Sequence, residues 1–138
     1  MKRDLAFCTI VLILLCALFS CTTDGGVSDY VGIWLASNVV TPGGNVDAHL
    51  ALNEDGTYEG LLYNVGGSTL RAGSSRGTYT CANNKLTNTI EEVYDGSVWK
   101  AQGGTQVTPY SISGDTLTLY QDFDEDGTTD ETWTLTRQ

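Results

Sequence analysis

Basic residues are scarce in this chain of 138 residues, which has 7 Lys and Arg against 17 Asp and Glu and a formal net charge of −10. Phosphate binding needs clustered Lys and Arg, so the composition argues against nucleic acid as a partner. Histidine is nearly absent too, since His49 is the single example. No Cys or His lies near it in sequence to complete a metal site, and no nucleophile-elbow motif supports a catalytic triad. We therefore interpret His49 as an ordinary strand residue.

Recognisable catalytic patterns are lacking as well. Glu91, Glu92 and Asp95 could form a carboxylate pair of the kind that glycosidases use, but nothing in the sequence fixes their separation. An exposed strand end is the simpler interpretation of these three residues. The glycine pairs lack the strand-to-helix context of a phosphate-binding loop and are interpreted as turns. We expect no enzymatic activity from this sequence.

The one long apolar run is LAFCTIVLILLCALF at residues 5–19, which follows Lys2 and Arg3. The run is long enough for the core of a signal peptide and shorter than the ~20 residues that a membrane-spanning helix needs. A single-pass membrane anchor is the alternative. The polar segment TTDGGVSD at residues 22–29 has no apolar period and suits a flexible tether.

The junction Leu18-Phe19-Ser20-Cys21 resembles the lipobox of bacterial lipoproteins, in which Leu lies three residues before a Cys and a small residue directly precedes it. The resemblance implies cleavage before Cys21 by signal peptidase II, diacylglycerol on its sulfur and acylation of its amine. Two or more acyl chains give stable anchoring, so we expect the lipid bilayer of the bacterial cell envelope as a partner. Thr22 stands where an Asp would indicate inner-membrane retention, which favours the outer membrane.

Cleavage would divide the chain into a signal peptide (1–20), a lipidated Cys with its tether (21–29) and a folded domain (30–138). The mature form would have 5 basic and 16 acidic side chains and a net charge of −11. Two cysteines would leave with the signal peptide, and Cys21 would carry lipid. Cys81 would then be the one cysteine of the folded domain, which excludes an intramolecular disulfide. It shares a strand face with Tyr79, so we expect it to be a small buried apolar residue.

The sequence after Cys21 has almost no helical pattern, and its apolar residues alternate with polar ones, usually Thr, at a period of two. Thr132-Trp133-Thr134-Leu135-Thr136 shows the alternation most clearly. This pattern predicts antiparallel strands with one buried face, in the all-β class. Frequent turn signals, among them Asn83-Asn84 and Gly103-Gly104, favour a meander that closes as a barrel. The segments predicted as extended, some of them halves of one bent strand, are 31–40, 46–52, 57–64, 68–72, 75–81, 85–93, 97–101, 106–113, 116–121 and 129–137.

The motif Gly32-Ile33-Trp34 opens the first predicted strand and Arg137 closes the last one. This arrangement is similar to that of lipocalins, in which a Gly-x-Trp motif opens the first strand and an Arg from the last strand packs across the Trp. The resemblance extends over roughly residues 30–138. It implies a monomeric up-and-down antiparallel β-barrel of about eight strands that binds a small hydrophobic ligand.

The aromatic residues of the predicted strands offer a way to test that implication. If enough of them point inward without filling the barrel, it can hold one small ligand. If they fill the interior, the protein is instead an envelope interaction module that contacts a protein or glycan through loops such as TPGGNVD (41–47). The residues concerned are Tyr58, Tyr63, Tyr79, Tyr94, Trp99, Tyr110, Tyr120 and Trp133.

An acidic segment, DFDEDGTTDE at residues 122–131, has carboxylates at the spacing of a calcium loop. Its candidate ligands are Asp122, Asp124, Asp126 and Asp130, and Gly127 allows the sharp turn between them. Trp133 occupies the twelfth position, where an EF-hand needs a bidentate Glu, and the flanking segments are predicted strands rather than helices. We expect a solvated acidic hairpin tip, with a weak Ca²⁺ site as the alternative and no other cofactor.

Overall fold

The computed structural model describes residues 29–138, and every regular element in that part of the chain is a β-strand. No helix among these residues is long and apolar enough to cross a membrane. The strands are β1 (Gly32–Val39), β2 (Val46–Leu52), β3 (Thr57–Asn64), β4 (Ser75–Ala82), β5 (Lys85–Tyr94), β6 (Trp99–Ser113), β7 (Thr116–Gln121) and β8 (Glu131–Arg137).

Each strand pairs antiparallel with the next, and β8 pairs back to β1, so the sheet is a closed up-and-down barrel. The predicted class, closure and number of strands are confirmed. Closure removes the free edges of the sheet, which is the physical reason that a meander of half-buried strands adopts this form. The closing seam is short: Trp34 pairs with Arg137 and Leu35 with Thr136.

Two local predictions are wrong. Gly103-Gly104 is not a turn, because both glycines lie within β6, where Gly104 pairs with Ile90 of β5. Residues 99–101 of the predicted segment 97–101 and the whole of 106–113 accordingly belong to one strand of 15 residues. Segment 68–72 belongs to the loop between β3 and β4, and its contribution to the sheet is one isolated bridge from Leu70 to Tyr63.

Inward side chains of alternating residues fill the half of the barrel in which β1 begins. Cys81 and Tyr79 are both buried in this core, as their shared face predicted. The members of the core cluster are Tyr30, Trp34, Ala36, Leu50, Leu52, Tyr58, Tyr79, Cys81, Leu86, Tyr110, Leu117, Leu119 and Leu135.

A bulge in the β4–β5 pair depends on one glycine. The register shifts between Arg76 and Gly77, and a Cβ on Gly77 would lie 2.1 Å from the carbonyl oxygen of Thr89. No side chain fits at that distance, so the backbones of β4 and β5 approach this closely because residue 77 is a glycine.

The closed end of the barrel is formed by the Trp34 ring and the guanidinium of Arg137. The Arg137 Cζ atom lies 4.4 Å from the centroid of the Trp34 ring, and Arg137 Nη1 donates to the carbonyl oxygen of Val31 at 2.8 Å. Arg137 Nη2 donates to the carbonyl of Asp29, and Trp34 Nε1 donates to the carbonyl of Tyr30 at 2.8 Å. One planar group thus joins the last strand to the segment that enters the first strand.

We expect Arg137→Ala to lower the free energy of unfolding by about 2–4 kcal/mol, since it removes a cation–π contact and charged hydrogen bonds to backbone carbonyls. Arg137→Lys should restore little of this loss, because an ammonium group cannot reproduce the planar fork. Urea denaturation measures both changes.

The matched control is Arg71→Ala, which also removes two donors from backbone carbonyls but acts between exposed loops. We expect a smaller loss there. Equal losses for the two alanine variants would contradict the role given to Arg137 in closing the barrel.

Candidate functional site

The loops at the end opposite Trp34 surround the mouth of the barrel. They connect β1–β2 (40–45), β3–β4 (65–74), β5–β6 (95–98) and β7–β8 (122–130). Arg71 donates from Nη1 and Nη2 to the carbonyl oxygens of Asn45 and Gly43, at 3.0 Å each. Trp133 Nε1 donates to the carbonyl of Val40 at 3.0 Å. The β1–β2 loop is therefore held on one side by β8 and on the other by the β3–β4 loop.

A cavity of about 270 Å³ lies inside the barrel, between this mouth and the core. Two of the inward positions around it carry no large side chain, namely Ala48 on β2 and Gly60 on β3. An apolar cavity of about 150 Å³ already accommodates benzene, so the space is sufficient for one small molecule.

One wall of the cavity is apolar. Leu50 and Leu62 line it from β2 and β3, and Leu135 and Trp133 line it from β8. Phe123, at the start of the β7–β8 loop, packs near Trp133 with ring centroids 6.3 Å apart. A ligand bound against this wall buries apolar surface, which stabilises the complex by roughly 25 cal/mol per Å² removed from water.

The polar residues of the lining lie together on β5, β6 and β7, beside Leu86 and Leu119. This polar wall consists of Asn88, Gln106, Thr108 and Gln121, and Asn88 pairs directly with Gln106 in the β5–β6 register. Three of these residues are almost completely buried: Asn88 is 9 % exposed, Thr108 5 % and Gln121 6 %. Among the described residues, the Asn88 Oδ1 atom finds no hydrogen-bond partner.

Within the described chain, no Asp, Glu, Lys or Arg lines the cavity, and His49 is the one basic residue of its lining. Burial raises the pKa of the Tyr58 phenol, which donates to Ser75 Oγ at 3.1 Å and stays protonated. His49 also borders the cavity, but its position on β2 lies between the inward residues Ala48 and Leu50. Alternation along the strand therefore places its ring on the outer face, where it packs against Tyr63 with centroids 4.7 Å apart.

The cavity also has a lateral opening, because β6 is much longer than β7. β6 pairs with β7 from Tyr110 to Ser113, so the earlier part of β6 extends beyond that pairing. A depression of about 580 Å³ lies there, next to the β7–β8 loop. It shares Gln106, Thr108, Gln121 and Phe123 with the cavity, so the polar wall is also the side on which the interior meets solvent.

The aromatic residues divide between the interior and the surface. Tyr58 and Trp133 line the cavity, while Tyr79 and Tyr110 belong to the core beneath it. Outside the barrel, Tyr94 packs against Trp99, which also receives the Arg76 guanidinium 4.5 Å from its ring centroid. Tyr63 pairs with His49, and Tyr120 lies 3.3 Å from Ser111 by their hydroxyl oxygens. The aromatic residues therefore leave space in the upper half of the barrel.

The acidic loop brings together three of the four carboxylates that its spacing singled out. One oxygen from each of Asp122, Asp124 and Asp130 lies within 4.8 Å of the others. Asp126 is turned instead toward Thr128, whose hydroxyl and backbone N–H both donate to Asp126 Oδ1, and these two hydrogen bonds lower the pKa of Asp126. The strands flanking the loop are β7 and β8, as predicted. The calcium site stays a prediction.

Two of the three other carboxylates considered from the sequence, Glu92 and Asp95, are engaged in ion pairs. Glu92 accepts from Arg76 at 2.5 Å across the β4–β5 pair, and Asp95 Oδ2 lies 2.5 Å from Lys100 Nζ. The Lys100 bond and two backbone N–H donors, from Val98 and Ser97, lower the pKa of Asp95 strongly. Glu92 and Asp95 thus have partners on the outer surface.

Sequence reasoning missed the polar wall. Asn88 occupies the middle inward position of Leu86-Thr87-Asn88-Thr89-Ile90, where the alternation demands an apolar residue. Gln121 likewise continues the inward series of Leu117 and Leu119. A polar residue within an otherwise apolar period-two series was the available signal in both strands.

The predicted lipidation site Cys21, the predicted signal peptide (1–20) and nearly all of the predicted tether (21–29) lie outside the described residues. Gly32, Trp34 and Arg137 form the closed end, where a Cβ on Gly32, at φ 145°, would lie 3.3 Å from Arg137 Nη1. No protein-family model matches the chain, and no curated protein matches it at a significant level.

Proposed function

We propose that this protein is a bacterial lipoprotein that binds one small, largely apolar molecule non-covalently inside its barrel. The observation that carries the proposal is the cavity of about 270 Å³ above the core, with its wall of leucine and aromatic side chains. A filled barrel would instead favour an interaction module acting through its loops. The open interior supports the ligand-binding alternative, because the space costs stability unless something occupies it.

The second part of the proposal is a lipid anchor at Cys21 in the bacterial envelope, with the outer membrane favoured by Thr22. Its support is the sequence of residues 1–21. The position of Asp29 adds a geometric argument, because its carbonyl accepts a hydrogen bond from Arg137 at the closed end. A tether ending there attaches to the barrel at the end away from the mouth, which leaves the cavity accessible from the aqueous side.

The anchor is tested by metabolic labelling with palmitate in a bacterial host. We expect label on the wild-type protein and recovery in the membrane fraction, and neither for Cys21→Ala. Ser20→Ala keeps a small residue before the cysteine and serves as the control that should still be labelled. Equal labelling of wild type and Cys21→Ala would contradict lipidation at this residue.

Ligand binding is tested by filling the cavity. The protein used is the mature chain with Cys21→Ala, since every strand pair that closes the barrel lies within residues 29–138. Ala48→Phe places a ring in the cavity, and we expect it to weaken binding of a small apolar probe such as n-octanol at least tenfold. Trp133 lines the cavity, so its fluorescence provides the measurement.

Ala51→Phe is the matched control, because Ala51 lies on the same strand but outside the cavity lining and pairs with Ile33 and Glu59. It should bind the probe like the wild type. Absence of probe binding to the wild type, or equal binding by Ala48→Phe and wild type, would contradict the proposed function.

A further inference from the structure

An apolar ligand alone does not account for the polar wall on β5, β6 and β7. We propose that the ligand is an uncharged amphipathic molecule whose O–H or N–H group donates a hydrogen bond to Asn88 Oδ1. This inference rests on the proposed function and specifies the chemical class of the molecule that the cavity takes.

Asn88 is buried and has a side-chain acceptor without a partner in the described chain. Asn88 is only 9 % exposed, and it lines the cavity. Among the described residues no donor reaches its Oδ1 atom. A buried acceptor without a partner is costly, and native proteins nearly always provide one. Because Asn88 lines the cavity, a ligand bound there can supply the missing donor.

Other polar side chains line the cavity beside Asn88. Gln106 faces Asn88 across the β5–β6 pair, and the buried Thr108 and Gln121 lie on the same wall. These side chains offer both donors and acceptors to a polar head group. The leucines that line the cavity from β2, β3 and β8, namely Leu50, Leu62 and Leu135, offer none. A ligand that satisfies both sets of residues has a polar group and an apolar body.

A charged head group has no partner among the described residues of the cavity. Within the described chain no Lys or Arg lines it, and the ring of His49 packs against Tyr63 on the outer face. Arg71 is committed to loop carbonyls, Arg76 to Glu92, and Arg137 to the closed end. A buried carboxylate would therefore have no counter-charge, and burying an unpaired charge costs far more than burying a neutral hydroxyl. A buried ammonium group would likewise find no carboxylate among the lining residues.

The experiment compares three probes of similar size on the mature Cys21→Ala chain: n-octanol, heptyl methyl ether and octanoate. The alcohol and the ether have equal numbers of heavy atoms, but only the alcohol donates a hydrogen bond. We expect n-octanol to bind about tenfold more tightly than the ether and more tightly than octanoate at neutral pH, as measured by calorimetry. In Asn88→Leu, a change of similar volume, we expect the preference of alcohol over ether to disappear.

Two controls separate recognition from general damage. Asn64→Leu makes the same substitution at an exposed position of β3 outside the cavity lining, and it should keep the preference for the alcohol. Thr108→Val removes a second polar group from the same wall and should reduce the preference partially. We also expect Asn88→Leu to unfold at a temperature no lower than the wild type, because it removes a buried acceptor that has no partner in the protein.

The outcomes distinguish this inference from the function on which it rests. Equal binding of alcohol and ether by the wild type, tightest binding of octanoate, or an unchanged preference in Asn88→Leu would overturn the inference while leaving a ligand-binding barrel. Should Asn88→Leu fail to fold, the wild-type preference and Thr108→Val decide the question. If none of the three probes binds the wild type, the result contradicts the proposed function as well.

Discussion

The contact between the Arg137 guanidinium and the Trp34 ring is the constraint on which the rest of the barrel depends. The seam between β1 and β8 rests on the pairs Trp34–Arg137 and Leu35–Thr136, so backbone bonding alone secures it weakly. The guanidinium adds hydrogen bonds to the entering segment, and the fully buried Trp34 ring supplies the surface on which it packs. Because this end is closed by its own side chains, the opposite end can remain open.

The two halves of the interior are built differently as a consequence. Near the closed end, large residues such as Tyr79, Tyr110 and Leu117 interdigitate, and their burial supplies the apolar stabilisation of the fold. Above them Ala48 and Gly60 leave space, and Asn88 puts an amide where close packing would call for an apolar side chain. Stability and the binding that we propose are thus separated along the axis of the barrel. Asn88 weakens the apolar core, and it also provides the hydrogen-bond acceptor that we propose for the ligand.

The sequence predicted the features that depend on local pattern. Period-two alternation identified the inward faces of Thr132–Thr136 and of the Tyr79–Cys81 strand, and short turns such as Asn83-Asn84 adopt the positive φ angles of 52° and 57° that a tight hairpin needs. It failed where pairing with distant strands decides the conformation. Gly103-Gly104 lies in an extended strand because β5 pairs with it, and the polar wall exists because three strands bring four polar residues to one side. Neither the pairing register of the strands nor the size of the cavity is encoded in a local sequence pattern.

The central claim is that the upper half of the barrel holds a small molecule while the closed end stays unchanged. Amide and side-chain chemical shifts, followed by nuclear magnetic resonance during titration of the mature Cys21→Ala chain with n-octanol, test it most directly. We expect the largest changes at Ala48, Gly60, Thr108 and the Asn88 side-chain amide, with the Trp34 indole N–H unmoved. Changes spread over outer-face residues such as Ala51, or centred on Trp34, would contradict it.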